Sequence, residues 1–469
     1  MHYRPSYLPH NQAASDLVQS IADQTGLALN QKHEIVLASF LATAKIADST
    51  PFKWMVGNEN KNLKFYSHYP NVGVKVINKV RSLLMEHGLL SDTTKRKREL
   101  FDQSIAAAFG DEFGIENAAD AELLFGEMPK VKQISEVTAM VKGLDDAIFV
   151  EANLPEVLVN LPETWVERVH RQSQGYSPKR MSKQVAISEF KAEYSKALKP
   201  LKQMNAYWQQ HPLFNPIKQE YYAAATRVFH NNSIKSGGRY YGGWSDIPSA
   251  QRLEFTIDEE PVCEIDLNAS LPTLLSCLVS KPMRIGETWT DAYQCLVDQL
   301  PDIENARDKV KQVFVELIGT GNPNKREPTK QPNNILENVE EFILIRDLAL
   351  DMYPALNDLN KEYFNFTDAL SFHEANILTN TLIELKGQGV VAYPIHDCVL
   401  VKEKHQSIAV KTFRAEFSKY VSAYQRKNNL SYLTIKVPVS IESRTKSKVR
   451  LEGRYILEEC ATGMRNSIQ

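Results

Sequence analysis

The chain has 469 residues, of which 43% are hydrophobic and 24% are charged, and 55 basic against 57 acidic side chains give a net charge of −2. This composition is typical of a folded globular protein and excludes a disordered chain, a collagen-like repeat and a small disulfide-stapled protein. Five cysteines without C-x-x-C spacing support neither a zinc ribbon nor a disulfide framework, so we expect a reduced, cytoplasmic protein.

No membrane contact is expected, because no stretch approaches the roughly 18 apolar residues of a transmembrane helix and the N-terminus lacks the apolar core of a signal peptide. The charges are unevenly distributed. Residues 101–160 carry 12 acidic and 3 basic side chains, whereas residues 161–240 carry 5 acidic and 13 basic ones. The basic segment is either a footprint on a phosphate backbone or a solvated helix surface.

Residues 1–100 predict a mainly helical domain. Apolar spacing at the helical period marks two helices between residues 11 and 50 and a third within the segment 72–91, where Gly88 is the expected C-cap. A basic cluster at 95–98 follows. Three helices and a basic hairpin-like tail are the order of a winged helix, with a generic helical domain as the alternative. Residues 101–160 are interpreted as an acidic linker subdomain.

The rest of the chain mixes helical and extended patterns. Residues 185–230 predict helices, so 161–235 is interpreted as a basic helical region. Between residues 236 and 279 the patterns predict a loop or turn over SGGRYYGGWSDIP (236–248), a strand over PVCEIDL (261–267) and an apolar helix over SLPTLLSCLV (270–279). They then predict a long helix over 303–319, a loop over 320–334, and helices over 334–350 and 371–386. Two strands joined at His396–Asp397 and a last strand over 434–443 follow.

Two aspartates stand out by their context. Asp266 ends an apolar strand, and Asp397 has apolar residues on both sides. A carboxylate in an apolar strand is costly to bury unless it is paired or binds a cation. Two such carboxylates brought together by the fold can hold a pair of magnesium ions for phosphoryl transfer, and the alternative is two unrelated strand-end caps.

Four elements around these aspartates follow one another in a specific order. Gly238-Arg239, Asp246-Ile247-Pro248 and Arg252 precede Asp266; Arg307-x-x-x-Lys311 stands on the predicted long helix; and Ile395-His396-Asp397 closes the series. In this order, with an apolar strand before each aspartate, residues 225–405 resemble the palm and fingers of family A (DNA polymerase I-like) polymerases, which are distantly related to single-subunit phage-type RNA polymerases.

The resemblance implies an α+β fold: a right-hand polymerase with an antiparallel-sheet palm and helical fingers and thumb, plus the N-terminal, possibly winged-helix domain. It makes 161–235 a thumb-like region and 236–469 the palm with reduced fingers. It also implies a role for each matching residue: Asp266 and Asp397 as catalytic ligands of two Mg²⁺ ions, with Mn²⁺ possible; Arg307, Lys311, Val315 and Leu271 at the nucleotide; and Arg239, Tyr241, Arg252, His373, Glu374, His396, Lys179, Arg180 and Lys183 on nucleic acid.

Some of these residues have a second interpretation. His373, which shares a predicted helix with Glu374 and Asn376, is either a template–primer contact or a satisfied helix histidine. Tyr240, Tyr241 and Trp244 either stack on a base or sugar or pack around the glycine turn.

Three positions depart from the family pattern. Leu271 stands where the family has the glutamate that blocks a ribose 2′-hydroxyl, Gly319 replaces the tyrosine of the fingers helix, and Cys398 follows His-Asp instead of glutamate. The sugar preference is therefore open. The short separation of Arg239 from Asp266 favours the DNA polymerase layout over that of the RNA polymerases.

The functional prediction is a template-directed DNA polymerase without proofreading, from a phage or another mobile element. Its partners would be template–primer nucleic acid, nucleoside triphosphates and a processivity or recruitment protein. The first alternative is an RNA polymerase, a primase-like enzyme or a template-independent terminal transferase. The second is a non-catalytic nucleic-acid-binding replication protein.

Overall fold

The computed structural model describes residues 3–55, 72–92, 134–160, 184–186, 195–231, 233–328, 335–336, 338–359 and 366–458. The chain divides into two compact units. The first unit is Met1–Pro155 with Lys218–Ala224, and the second unit is Glu156–Ile217 with Ala225–Gln469. The four-segment division predicted from composition places its boundaries differently and stays a prediction.

Helices are numbered along the chain. They are α1 (Gln12–Gln24), α2 (Gln31–Ala47), α3 (Val74–Glu86), α4 (Ser195–Gln210), α5 (Ser249–Arg252), α6 (Ser270–Leu278), α7 (Gln294–Val297), α8 (Ala306–Thr320), α9 (Val339–Met352), α10 (Phe366–Gly387) and α11 (Gln406–Lys427), with 3₁₀ turns at Pro354–Asp358 and Glu403–His405.

Strands are numbered in the same way. They are β1 (Tyr7–Pro9), β2 (Phe52–Met55), β3 (Leu90–Asp92), β4 (Ile134–Ala139), β5 (Phe149–Glu151), β6 (Val157–Asn160), β7 (Gln184–Ala186), β8 (Leu213–Asn215), β9 (Glu220–Tyr222), β10 (Thr226–His230), β11 (Ser233–Tyr241), β12 (Thr256–Ile257), β13 (Glu260–Leu267), β14 (Thr288–Trp289), β15 (Ala392–Ile395), β16 (Cys398–Lys402), β17 (Tyr432–Lys436), β18 (Val439–Ser443), β19 (Lys446–Leu451) and β20 (Gly453–Glu458).

The first unit packs α1, α2 and α3 with two small sheets. Asparagine caps begin α1 and α2: the side chain of Asn11 accepts a hydrogen bond from the N–H of Ala14, and that of Asn30 accepts from the N–H groups of Lys32 and His33. Because α2 is apolar on most of its circumference, it is buried on nearly every side. The three predicted helices are confirmed.

The sheets of the first unit are β2–β4–β3, which is antiparallel, and β1–β5–β9, in which β5 and β9 run parallel. Among the described residues, the order from α1 to β4 is helix, helix, strand, helix, strand, strand. The winged-helix hypothesis stays a prediction, and its basic cluster at 95–98 lies outside the described residues, as do residues 101–133 of the acidic segment.

An antiparallel sheet lies at the centre of the second unit. Its order is β8–β12–β13–β16–β15, and β18 also pairs with β13 and carries β19. A four-stranded sheet, β11–β10–β6–β7, and a three-stranded sheet, β14–β20–β17, complete the unit. Helix α10 packs on β11, and α11 packs on β13, β16 and β17. The mixed α+β architecture agrees with the fold class expected from the sequence.

Two glycines shape β11, which bears Arg239. Gly237 and Gly238 have φ of +77° and +82°, and the pairing of β10 with β11 shifts register beside them. A Cβ atom at Gly238 would lie 2.7 Å from the ring of Phe229. The predicted loop at 236–248 is therefore wrong for residues 236–241, because the glycines make a bulge inside a strand.

Other sequence predictions have mixed outcomes. The helix predicted over 185–208 is confirmed as α4 from residue 195 onwards and is wrong for residues 185 and 186, which pair with β6 as part of β7; residues 187–194 lie outside the described part. The helix over 217–229 is wrong: β9 and β10 occupy this segment, because Arg227, Val228 and Phe229 pair with β6 on one side and β11 on the other. The last predicted strand divides at Val437–Pro438 into β17 and β18.

The helices predicted at 303–319, 334–350 and 371–386 correspond to α8, α9 and α10, and the two strands joined at His396–Asp397 are β15 and β16. Within the described ranges, none of the helices has both the length and the apolar character needed to cross a lipid bilayer.

Candidate active site

The central sheet of the second unit brings Asp266 and Asp397 together. Asp266 lies near the end of β13 and pairs with Cys398 of β16. Asp397 directly precedes Cys398 in the two-residue turn of the β15–β16 hairpin, and its carbonyl oxygen accepts a hydrogen bond from the N–H of Leu267 at 3.2 Å. His396, the first turn residue, has φ of +54°, which two-residue hairpin turns require.

The environment of Asp266 disfavours its charge. Burial and, to a smaller extent, the nearby carboxylate of Asp397 raise the pKa of the Asp266 carboxyl to about 8, although Lys448 and Lys311 oppose this rise. Two carboxylates held this close are a natural cation site. The described residues contain no group of three or more His, Cys, Asp or Glu placed to bind a metal. Mg²⁺ nevertheless fits this donor set, because it commonly takes one or two protein carboxylates together with water and substrate phosphates.

One face of α8 carries the predicted nucleotide-binding residues. Arg307, Lys311 and Val315 are spaced four residues apart, so they lie on the same side of the helix. Lys311 is exposed and Val315 has an exposed fraction of 52%, whereas Val310, Val313 and Leu317 on the other side belong to the core. The proximity of Lys311 to Asp266 places this face beside the carboxylate pair.

A third carboxylate, Asp291, was missed by sequence reasoning. Its side chain is only 7% exposed, and its Oδ2 atom lies 2.9 Å from Nε of Arg307 and 3.4 Å from Nη1 of Arg450. Tyr293 lies over the same arginine, with its ring centroid 5.9 Å from the Arg307 guanidinium carbon. Burial and the Asp397 carboxylate raise the pKa of the Tyr293 phenol, so this hydroxyl stays protonated.

Two cations on β19, Lys448 and Arg450, were also missed. Nζ of Lys448 lies 3.6 Å from Oδ2 of Asp266. The signal that could have identified them is the period-2 repeat of Lys446, Lys448 and Arg450, which is typical of a strand with one basic face. No comparable signal marks Asp291.

Arg239, which is partly exposed, and the buried Glu374 form an ion pair near Asp397. Oε2 of Glu374 accepts from Nε of Arg239 at 2.8 Å and from its Nη2, and Oε1 accepts from the hydroxyl of Ser270 at 2.8 Å. Burial, together with the carboxylate of Asp397, raises the pKa of Glu374 to about 7, although Arg239 and Ser270 oppose this rise. The pair fixes the position of Arg239 on β11.

Arg252 forms a second internal ion pair. Its Nε donates to Oε1 of Glu264 at 2.7 Å, its Nη1 donates to the carbonyl oxygen of Ile247, and the hydroxyl of Ser249 donates to Oε2 of Glu264 at 2.7 Å. Glu264 belongs to β13, the strand that bears Asp266 near its end. The structure therefore gives Arg252 a role in holding α5 on β13, and its contact with nucleic acid stays a prediction.

Tyr241 and His396 lie side by side near Asp397. Their ring centroids are 5.9 Å apart in an edge-on arrangement. Burial and the positive charge of Arg239 lower the pKa of His396, so the imidazole is neutral at physiological pH. Its Nδ1 atom is buried and has no hydrogen-bond partner among the described residues. Burial also raises the pKa of the Tyr241 phenol.

His373 on α10 packs against two tyrosines of α11. Its Nδ1 lies 2.9 Å from the hydroxyl of Tyr420, and its ring lies edge-on to that of Tyr424 with 5.1 Å between centroids. Burial lowers the pKa of His373 to about 4, so the ring is neutral. These contacts match the satisfied helix histidine, and contact with a template stays a prediction.

The stacking hypothesis is wrong for Tyr240 and Trp244. Both side chains are fully buried: the Tyr240 hydroxyl hydrogen-bonds to that of Thr379, and the Trp244 indole N–H donates to the carbonyl oxygen of Pro394 at 2.8 Å. Aromatic packing explains both residues. Leu271 lies half-buried in the first turn of α6, while Lys179, Arg180 and Lys183 lie outside the described residues.

Comparisons with other proteins give little further information. No protein-family model matches the sequence, and no curated protein sequence matches it. Among solved structures, the chain is similar to the POL domain of Pol1 from M. smegmatis in complex with DNA primer-template and dNTP, at 11% sequence identity and a TM-score of 0.31, over 89% of this chain and 77% of that chain. A likeness of this degree assigns no role to any residue.

Proposed function

We propose that this protein is a template-directed nucleotidyltransferase, and specifically a DNA-directed DNA polymerase built as a reduced right hand. The observation that carries the proposal is the juxtaposition of two carboxylates beside the Arg307–Lys311 face of α8: Asp266 of β13 pairs in register with Cys398, and Asp397 is the turn residue directly before Cys398. In this proposal the central sheet is the palm and α8 belongs to the fingers. Two carboxylates facing two cations match the needs of a reaction between a hydroxyl and a triphosphate.

Each residue of the site has a role that its surroundings permit. Arg307 and Lys311 bind the triphosphate and offset the negative charge that develops as pyrophosphate leaves. Arg239, held by Glu374, and the neutral His396 contact the primer near its end. Asp266 and Asp397 would hold two magnesium ions, whose chemistry in such a site is activation of the attacking hydroxyl and stabilisation of the leaving group.

The proposal is tested by extension of a labelled primer on a DNA template, with Mg²⁺ and with deoxynucleotides or ribonucleotides in separate reactions. Asp266→Asn and Asp397→Asn keep the side-chain size and remove the carboxylate, so each is expected to lower templated extension at least a thousandfold. Asp16→Asn changes an exposed aspartate of α1 and is the matched control. It should extend primers at the wild-type rate.

Other outcomes select other functions. Extension mainly with ribonucleotides would favour an RNA polymerase or primase-like enzyme and would point to Leu271, while untemplated addition would indicate a terminal transferase. If wild-type protein binds template–primer but makes no product under any condition, or if both asparagine variants extend primers normally, the catalytic proposal is wrong and the non-catalytic replication protein takes its place.

A further inference from the structure

The β18–β19 hairpin brings two cations to the carboxylates of the candidate active site. Asp266 pairs with Ser440 of β18, and Ser440 pairs with Arg450 of β19. Because residues directly opposite each other in an antiparallel sheet project from the same face, Arg450 shares the face of Asp266. Lys448 lies next to a register shift between β18 and β19, and its Nζ reaches Asp266 on the same face at 3.6 Å. The hairpin thus forms a basic edge beside the catalytic strand.

Lys448 and Arg450 make long ion-pair contacts, and both side chains are partly exposed to solvent. Nζ of Lys448 lies 3.6 Å from Asp266, and Nη1 of Arg450 lies 3.4 Å from Asp291. The side chains are 41% and 38% exposed, respectively. Arg450 also shares its carboxylate with Arg307, which is nearer to Asp291 at 2.9 Å. Both β19 side chains therefore keep donors that can turn towards a bound anion.

The local charge balance favours such an anion. Arg307, Lys311, Lys448 and Arg450 surround three carboxylates, and two of these, Asp266 and Asp397, are the ones that would bind cations during the reaction. A divalent cation held by Asp266 would place a like charge beside Lys448, which would then lose its present ion-pair partner. A nearby group of negative oxygens is then its most favourable partner.

We propose that Lys448 and Arg450 form a second wall of the triphosphate site, opposite Arg307 and Lys311 on α8, and bind the β- and γ-phosphates of the incoming nucleoside triphosphate. This inference rests on the proposed function and extends it to a strand outside the predicted motifs. Asp291 is the positioning residue, because its single buried carboxylate orients one guanidinium from each wall. A phosphate of the template–primer backbone would present the same chemistry, so the experiment separates the two sources.

The experiment measures binding rather than turnover. Wild type, Lys448→Gln, Arg450→Gln and the double variant are titrated with tripolyphosphate and with a deoxynucleoside triphosphate, in Ca²⁺ and with a 3′-dideoxy primer on its template. Each single variant is expected to weaken binding of both probes about tenfold and the double variant more, while affinity for template–primer stays within twofold. Lys448→Arg should recover most of the affinity.

Arg444→Gln is the matched control, because Arg444 lies in the turn of the same hairpin and pairs with Glu254 at 3.1 Å. It should bind both probes as wild type does. Wild-type affinity for both probes in the double variant would overturn the proposal. Selective loss of template–primer affinity would also overturn it and would make the two cations backbone contacts.

The failure of this inference can be distinguished from failure of the proposed function. If the wild type binds tripolyphosphate through Lys448 and Arg450 but extends no primer, the phosphate site is supported and the polymerase proposal is wrong. If the wild type extends primers and the double variant binds nucleotide normally, only the second wall is wrong. If the wild type binds neither probe, both are overturned.

Discussion

Glu374 shows how one side chain connects three elements of the candidate site. From α10 it accepts hydrogen bonds from Arg239 on β11 and from Ser270 at the start of α6, and it is only 2% exposed. Removing Glu374 is costly, because the donors on the buried side of the Arg239 guanidinium lose their acceptor. Glu374 therefore acts through Arg239, and its own contact with nucleic acid stays a prediction.

The geometry predicts different effects for two substitutions of Glu374. Glu374→Ala removes both acceptors and is expected to lower the free energy of unfolding by about 2 kcal/mol, whereas Glu374→Gln keeps an acceptor and should retain most of the stability. Urea unfolding at fixed pH measures both. Glu384→Ala, on an exposed face of the same helix, is the control and should unfold like wild type. An alanine variant as stable as wild type would show that the network contributes nothing.

The sequence located some site residues and not others for a physical reason. Asp266 and Asp397 stood out because burying a carboxylate among apolar residues costs free energy unless a partner or a cation compensates its charge. Arg307 and Lys311 were identified by their resemblance to a fingers-helix motif, and their spacing of four residues agreed with a shared helix face. Asp291 has no such local signal, since its importance arises only when chain folding places it between Arg307 and Arg450. The sequence left stacking and packing open for Tyr240 and Trp244, because an aromatic residue beside a glycine gives the same sequence pattern whether its side chain faces solvent or the core.

At the scale of elements, a small sheet in the first unit contains a poorly solvated carboxyl. Glu151 of β5 pairs with Tyr7 of β1 and lies near Glu220 of β9. Burial, and then the charge of Glu220, raises the pKa of Glu151 to about 7, although Arg4 and Ser6 oppose this rise. Because the folded pKa is above the unfolded value, stability from this group is greatest below about pH 4.5 and falls as the pH rises to about 7.

Glu151→Gln is expected to remove that dependence, because glutamine stays neutral. The variant should melt at a higher temperature than wild type at pH 8, and the difference should shrink towards pH 5. Scanning calorimetry of the full chain at several pH values measures it. Glu86→Gln, at an exposed position of α3, is the control and should leave the profile unchanged. An equal difference at all pH values would contradict the assignment.

Elements were predicted best where a long periodic pattern agreed with the final packing. Helices α2, α8 and α10 and the β15–β16 hairpin belong to this group. The errors fell where strand pairing with distant segments overrides local preference. Residues 217–229 look helical because of Ala223, Ala224 and Ala225, yet β10 joins β6 and β11. The glycines of β11 look like a turn, yet they make a bulge.

At the scale of the whole molecule, the two units are not two continuous stretches of the chain. Seven residues, Lys218–Ala224, leave the second unit to join the first, where β9 pairs in parallel with β5. A composition scan cannot detect such a short excursion, because it averages over longer windows. The four-segment division expected from charge and texture does not contain this excursion, and it stays a prediction.

This path predicts the behaviour of a shortened chain. A protein starting at Glu156 keeps β9 but loses β5, so it exposes an unpaired strand edge with Tyr221 and Tyr222 and is expected to aggregate. Replacing Lys218–Ala224 with a short Gly-Ser linker in the shortened chain should recover soluble protein. Light scattering and yield measure both forms. A soluble, monomeric chain that starts at Glu156 and retains β9 would contradict this expectation.

The same strand limits how this architecture can be recombined. A domain that is joined to the rest of the chain at a single point can be gained, lost or exchanged by one genetic crossover. Here a replacement for the first unit must also accept a strand supplied from beyond residue 217. Exchange of the first unit by recombination therefore needs two simultaneous breakpoints, or a replacement domain whose sheet edge already pairs with β9. Gene shuffling is expected to transmit the two units together, as one inherited block.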